Sequence, residues 1–349
     1  MPVTLEDIAR ALNVSKMTVS RAINNHPEIS PLTRARILET ARKMNYRPNQ
    51  FARALTTNRS YLIGIVVPDL MHSYFAEICR AVEIEARPVG YQNLICSTDE
   101  DAQKEIDEIE ALLSRTDGLI VASTLSKSEA KFYRRLLDEG ANIVLIDRLL
   151  DGLSCSAVTT DDVQVGLLAT EHLINLGHRK VGHLRGPDVS TSLRRQRGYE
   201  QAMSKAKLKP IVRECGFTEV DGHAAMQRWI AEGSLPTAIF ASNDPAAIGA
   251  MEAMNEAGLR VPEDVAFVGA GSIHYGDMLR VPLTTVAWST LAMGQAAAEL
   301  LLNLIDGKMR GRRPRKITLE PDLVIRDSCG ANKMLPQRRK GATEDAKQI

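Results

Sequence analysis

The spacing of apolar residues changes near residue 61. Before that point they recur at helical intervals. Leu5, Ile8, Ala9 and Leu12 give a first short helix one apolar face. Thr4, with Asp7 three residues on, forms an N-terminal capping pair. Asn13-Val14 interrupts the pattern, and Ser15 is placed to cap a second helix, with Val14 and Val19 at the two positions of a hydrophobic staple. There Val19, Ala22 and Ile23 face inward, which leaves Lys16, Met17, Ser20 and Arg21 on the opposite face. A third helix starts at Ser30-Pro31, with Ala35, Leu38 and Ala41 as the expected buried stripe. The resulting compact unit ends near Tyr46, because the residue before Pro48 is pushed out of the α region. QFARAL (50–55) has helical propensity but is too short to hold a helix alone in water, so it is a candidate for folding on binding. Residues 56–60 read as a polar linker.

From Leu62 the pattern alternates between short apolar runs and amphipathic stretches. LIGIVV (62–67) is the signature of a strand buried on both faces. Further strands are expected at 92–96, 118–122, 143–146, 180–184, 238–241 and 265–268. Helices are expected at 74–89, 101–114, 128–140, 162–176, 192–206, 222–232, 244–257 and 291–305, the last returning to the first sheet. Two successive βαβ series predict a multi-domain chain, a small all-α helix-turn-helix head followed by a two-lobed α/β body of two doubly wound parallel sheets. The expected boundaries are 1–46 for the head, 47–60 for a hinge and linker, 61–330 for the body and 331–349 for a disordered tail. In the body, lobe 1 takes about 61–158 and 289–318, and lobe 2 about 159–288 and 319–330. Ligands of such sheets bind beyond the carboxyl ends of the strands, here in the cleft between lobes. Those ends offer Pro68-Asp69, Ser97, Ser123, Asp147-Arg148, Arg185-Gly-Pro187, Asn243-Asp244 and the stretch 269–272.

Composition narrows the function classes. Of 349 residues, 44% are hydrophobic and 25% charged, as in ordinary soluble proteins. No apolar run reaches the roughly 20 residues that span a bilayer, and no signal-peptide pattern is present, so a cytoplasmic location without membrane partners is expected. The five cysteines are scattered and lack metal-ligand spacing, which reads as reduced thiols and no metal site. The net charge of +1 conceals a segregation: residues 1–60 carry a net +6, residues 61–330 a net −8, and the tail from Ala331 a net +3. A basic head on an acidic body fits nucleic-acid binding by the head. The outer face of the second helix, with donors, a cation and a slim apolar group, suits a DNA major groove. Taken alone, those residues leave open an ordinary helix pair with a solvated face.

Several motifs in order carry a resemblance over about Val3 to Asp327: TLEDIARALNVSKMTVSRAIN, NYRPNQFARAL, GHRKVGHLRGP, RGYEQAM, ASNDPAAIGAM, GLRVPEDVAFVG and PLTTV. The chain resembles the lactose-repressor and purine-repressor family of bacterial transcription regulators. The resemblance implies a homodimer on pseudo-palindromic double-stranded operator DNA, with a small molecule in the cleft changing the DNA affinity. It also implies a body similar to periplasmic sugar-binding proteins. By position, Lys16, Met17 and Arg21 match residues that read base edges, and Ser15, Thr18 and Asn24 match phosphate contacts. Tyr46 and Asn49 match further backbone contacts, Thr4, Ser20 and Arg53 join the DNA-facing set, and Leu55 matches a leucine wedged into the minor groove.

In the cleft the resemblance implies effector contacts from Tyr74, Phe75, Asp147, Arg195, Phe217, Asn243 and Asp244, although Asp244 could simply cap its helix and Phe217 could be core. An arginine grip beside carboxylates and aromatic faces suits a sugar or similar polyhydroxylated ring. One departure stands out. Relatives carry an aromatic residue and then Asp after the strand at 265–268, whereas this chain has Gly269-Ala270-Gly271, so a different ligand or contacts from Ser272 and His274 are implied. GAGSIH also tempts a dinucleotide reading, but the third glycine is replaced by His274 and no helix is expected after it. No Walker loop, HExxH or GxSxG occurs, so no catalytic residues and no cofactor are expected, and the chain reads as a regulator, most simply a repressor. The competing readings are a solute-binding protein without a DNA role and a sugar-modifying enzyme. The polar tail carries no apolar heptads for a tetramerising coiled coil.

Overall fold

The computed structural model describes residues 3–23, 26–46, 57–271, 273–309 and 311–331, with the side chain of Lys127 also left out. Asn24, Asn49, Arg53, Leu55 and Ser272 lie outside the described residues. The chain divides into two compact units, Met1–Ser60 and Tyr61–Ile349.

The first unit is a three-helix head. Helix α1 (Leu5–Leu12) begins with a reciprocal cap: Asp7 N donates to Thr4 Oγ1 at 3.3 Å while Thr4 N donates to Asp7 Oδ2 at 2.9 Å. Asn13, left-handed at φ 52°, ends α1 and turns the chain into α2 (Lys16–Ile23). The first turn of α2 is held by Thr18 N donating to Ser15 Oγ at 3.0 Å. Ser30 caps α3 (Pro31–Lys43), with Pro31 in its first turn. Ile8, Ala9, Val19, Ala22, Ile37 and Ala41 form the head core, with Val14 and Tyr46 packed partly against it. Here the expected α3 stripe needs correction. Ile37 and Ala41 are buried, Leu38 is only half-buried and Ala35 is exposed. The 37/41 spacing of one helical face, not the weakly apolar alanine at 35, is what meets α1 and α2.

The body is built on two six-stranded sheets. The first contains β1 (Leu62–Val67), β2 (Gln92–Ser97), β3 (Gly118–Val121), β4 (Ile143–Ile146), β5 (Ser156–Thr160) and β11 (Lys316–Leu319), all parallel, in the order β11-β5-β4-β3-β1-β2. The second contains β6 (Val181–Arg185), β7 (Ile211–Glu214), β8 (Ala238–Ala241), β9 (Ala266–Ala270), β10 (Thr285–Ala287) and β12 (Asp322–Val324) in the order β12-β10-β9-β8-β6-β7, with only β12 antiparallel. The chain passes between the lobes at 160–162, 287–290 and 319–322. β5, β7, β10, β11 and β12 have no counterpart in the hydrophobic pattern; β5 (SAVTT) is buried throughout because it sits inside the sheet, not because it is apolar.

In lobe 1 the helices are α4 (Ser73–Ala86), α5 (Ala102–Leu113), α6 (Ala130–Asp138) and α11 (Thr290–Ile305), and α11 packs on α4 and against β3, β4 and β5. Lobe 2 holds α7 (Asp162–Asn175), α8 (Ser190–Lys205), α9 (Glu219–Ala231) and α10 (Asp244–Glu256), paired α7 with α8 and α9 with α10. The α7–α8 pair crosses at two glycines. A Cβ on Gly166 would run into the Arg195 carbonyl, and one on Gly198 into the Val163 carbonyl. That close approach brings Asp162 and Arg195 into contact. Among the described residues no helix is long and apolar enough to cross a membrane.

Candidate functional site

On the head, α2 turns Lys16, Met17 and Arg21 outward, and Met17 is 63% exposed although it is a large apolar residue. Arg21 is not idle. Its Nη1 donates to Glu28 Oε2 at 2.7 Å, in a pair exposed enough to exchange readily for another anion. Ser15 and Thr18 share a hydroxyl hydrogen bond of 2.8 Å at the start of α2, and Ser20 is half-buried. Thr4 is occupied as the α1 cap. Tyr46 rests partly on the head core, where burial raises its hydroxyl pKa.

In the body, a cavity of about 340 Å³ opens at the carboxyl ends of both sheets. Lobe 1 contributes Asp69 after β1, Tyr74 and Phe75 of α4, Glu100 after β2 and Asp147-Arg148 after β4. Lobe 2 contributes Thr191 and Arg195 of α8, Phe217 after β7, Asn243 after β8 and Gly271 after β9, while Trp288 comes from the crossing after β10. Tyr74, Phe75, Asp147, Arg195, Phe217 and Asn243 are thus brought together. Asp244 is not among the lining residues. Its Oδ2 accepts from Ile273 N at 2.9 Å and its Oδ1 from Thr285 Oγ1 at 2.6 Å, so the carboxylate ties α10 to the loop after β9 and to β10. Nor does Asp244 cap its helix; Asn243 does, accepting from Ala246 N at 3.0 Å. His274 also lies away from the cavity lining, 67% exposed, with Nδ1 3.5 Å from Glu77 Oε1.

The floor of the cavity is a fixed polar network. Tyr74 Oη donates to Asp147 Oδ1 at 2.8 Å and accepts from Trp288 Nε1 at 3.1 Å. Burial and the adjacent Asp147 hold the Tyr74 hydroxyl pKa well above its ordinary value. Arg148, buried, grips Glu100 with both terminal nitrogens at 2.7 and 2.6 Å and lies over the Phe217 ring at 5.1 Å. Arg195 gives Nε to Asp162 Oδ1 at 2.8 Å and Nη1 to the Ser242 carbonyl at 2.6 Å, and its guanidinium lies 5.0 Å from the Trp288 ring centre. Burial works against the charge of Asp162, and Arg195 works for it. His72 Nδ1 accepts from Tyr74 N at 3.3 Å as the α4 cap, which leaves the proton of the neutral ring on Nε2; burial lowers its pKa.

His72, Glu100, Thr191, Thr218, Asp221 and Trp288 were not singled out in the sequence, although they line the cavity. Asp221 sits in the capping box of α9, whose signature TEVD (218–221) is readable; the others sit in loops or first turns whose direction only the folded sheets define. Among the described residues that follow β9 none is helical before α11, so the dinucleotide reading lacks its helix N-terminus. Among the described residues no group of side chains is arranged to hold a metal ion.

Comparison with known proteins agrees with this architecture. Residues 4–49 match the model of bacterial regulatory proteins of the lacI family, and residues 170–329 match a periplasmic binding protein-like domain. The HTH-type transcriptional repressor PurR of Haemophilus influenzae (strain PittEE) is 35% identical over 342 residues, covering 93% of this chain and 98% of the relative. The HTH-type transcriptional regulator DegA of Bacillus subtilis (strain 168) is 33% identical over 334 residues, covering 94% and 98%. Among solved structures, the lac repressor dimer bound to operator and the anti-inducer ONPF superposes with a TM-score of 0.84 at 27% identity, over 94% of this chain and 99% of that one. The complex of the regulator CelR with cellobiose gives 0.70 at 28% identity, over 93% and 99%. The chain therefore belongs to the lacI family of bacterial regulatory proteins and is a DNA-binding transcription regulator.

Proposed function

We propose that this protein is a cytoplasmic repressor that binds a pseudo-palindromic operator as a homodimer and answers to a sugar-like small molecule in the cleft of its body. The observation that carries the reading is the cavity lined from both lobes at the carboxyl ends of the strands. A ligand there touches both lobes at once, so it favours one lobe arrangement over another by its differential affinity for the two. Tyr74, Phe75, Phe217 and Trp288 supply faces for a ring, and the network around Asp147 and Arg195 fixes its orientation. The dimer bound to operator in the lac repressor and the sugar in the CelR complex support the same assignment.

On DNA, Arg21 would take a guanine edge by exchanging Glu28 for the base, while Lys16 and Met17 set which operator is preferred. Ser15, Thr18 and Thr4 stand at helix starts, where hydroxyls and backbone N–H groups suit phosphates. Ser20 and Tyr46 complete the described part of this face. The roles given to Asn24, Asn49, Arg53, Leu55 and Ser272 fall outside the described residues. A gel-shift titration tests the DNA half: Arg21→Ala should relax sequence preference at one base pair and cost about 1–3 kcal/mol. Equal affinity and preference in mutant and parent would refute it. Thermal-shift screening of the full chain against sugars tests the cleft half, since a ligand of the native cleft raises the body transition.

A further inference from the structure

Resting on the cleft reading, we propose that the effector is an amine-bearing polyol, in its simplest form an amino sugar, and not a neutral sugar or a sugar acid. The charges around the cavity favour a cation. Its lining holds four carboxylates, Asp69, Glu100, Asp147 and Asp221, and two arginines, Arg148 and Arg195. Both arginines have partners of their own. Arg148 holds Glu100 through two hydrogen bonds, and Arg195 holds Asp162 through Nε. His72 adds no charge while its Nδ1 caps α4, and burial disfavours its protonation.

Among the described residues Asp69 and Asp221 have no cation partner, and Asp147 only shares Arg148, whose two terminal nitrogens hold Glu100. Each spends one oxygen on the fold: Asp69 Oδ1 accepts from Met71 N at 2.7 Å, Asp147 Oδ1 from Tyr74 Oη at 2.8 Å, and Asp221 Oδ2 from Thr218 Oγ1 at 2.7 Å. Among the described residues the second oxygen of Asp147 pairs with Arg148 Nε, at 3.9 Å. An ammonium group offers three donors and a compensating charge to carboxylates arranged this way, and the aromatic walls accept a cation on their faces. A carboxylate or phosphate ligand would add like charge beside Asp69 and Asp221 and a shared Asp147, which disfavours binding.

A second observation points to hydroxyls on the same ligand. Arg148 lines the cavity at 4% exposure, and its Nε has no hydrogen-bond partner among the described residues. A hydroxyl seated between Arg148 Nε and Asp147 Oδ2, which stand 3.9 Å apart, would accept from the first and donate to the second. Gly271, after β9, offers the cavity no side chain and stands at φ 124°, where other residues are strained. The carboxylates come from the lobe 1 loops and the start of α9.

The test is calorimetric titration of the full-length protein at neutral pH with glucosamine, galactosamine and mannosamine, each beside its parent hexose and its uronic acid. At least one amine should bind roughly 10-fold more tightly than both its parent and its acid, the scale of one charge-assisted hydrogen bond. Asp69→Asn and Asp147→Asn keep the oxygen each residue uses in the fold, and each should shrink the ratio between amine and parent. A hexose or uronic acid that binds as tightly as the amine, and is lost in Phe217→Ala, overturns the amine inference and leaves the cleft reading standing. No binding by any amine at ~10 mM, weaker than any useful effector affinity, also overturns it. Binding that survives both Phe217→Ala and Arg195→Ala overturns the cleft reading itself.

Discussion

Val19→Ala isolates the head from the body. Val19 of α2 is fully buried in the head core, with six buried residues among those described. Truncation to alanine removes two methyl groups, about 1.6 kcal/mol of transfer free energy at ~0.8 kcal/mol each. The cavity left among rigid helices adds on the order of 1 kcal/mol, giving a total of about 2.5 kcal/mol. A unit of this size has a stability of roughly 2–7 kcal/mol, so the substitution takes a large share of it. The open fraction of the head should rise about 60-fold, since 1.4 kcal/mol is a factor of ten. Hydrogen exchange on the full chain reads this directly: amides of α1, α2 and α3 should exchange about 60-fold faster, while those of β1, β3 and β4 keep their protection. The separation follows from the division of the chain at Ser60. Operator affinity should drop only by the folded fraction that is lost. Unchanged protection in α2, or an equal loss in β1 and β3, would refute the reasoning.

Three further substitutions probe the body. Tyr74→Phe strips Asp147 of a donor and Trp288 Nε1 of an acceptor in a buried network, and should lower body stability by about 1–3 kcal/mol in calorimetry; an unchanged transition contradicts the network. Gly198→Ala puts a methyl group against the Val163 carbonyl, where backbone must move, and should cost about 1–3 kcal/mol or more by urea unfolding, whereas a neutral result would mean that α7 and α8 do not approach so closely. His183 is buried between Tyr199 and Phe240, and burial lowers its pKa from 6.5 to about 4. Because the unfolded chain takes up that proton first, stability held above pH 6.5 is lost as pH falls towards 4, by about 3 kcal/mol. His183→Leu should flatten that part of the pH profile; equal slopes in mutant and parent would exclude His183 as its source.

Much of the fold was legible because burial and sequence coincide where strands are central. LIGIVV, GLIV and IVLI became β1, β3 and β4, buried almost throughout. They are apolar on both faces because helices cover both sides. The edge and crossing strands were not legible. Lys316–Leu319 and Asp322–Val324 alternate weakly or not at all, and pairing with β5 and β10 decides them. At the cleft, the residues after strands were readable because the fold class places ligands there, which is how Asp69, Arg148 and Pro187 came into view as strand ends. Glu100, Asp221 and Trp288 were not, since their roles depend on which loops the two lobes bring face to face. Asp244 is placed differently. It stands beside the cleft in sequence, but its carboxylate is used up in holding Ile273 and Thr285.

The central claim joins a DNA-reading head to a ligand-reading body, and one measurement addresses both. The full-length protein is used to select duplexes from a random pool. Affinity for the recovered sequence is then measured by fluorescence anisotropy at fixed salt, with and without the tightest-binding sugar of the calorimetric panel. The expected result is a pseudo-palindromic duplex whose dissociation constant changes by roughly 5–150-fold on saturation with ligand. Failure to enrich any sequence, or one dissociation constant with and without bound ligand, would contradict it.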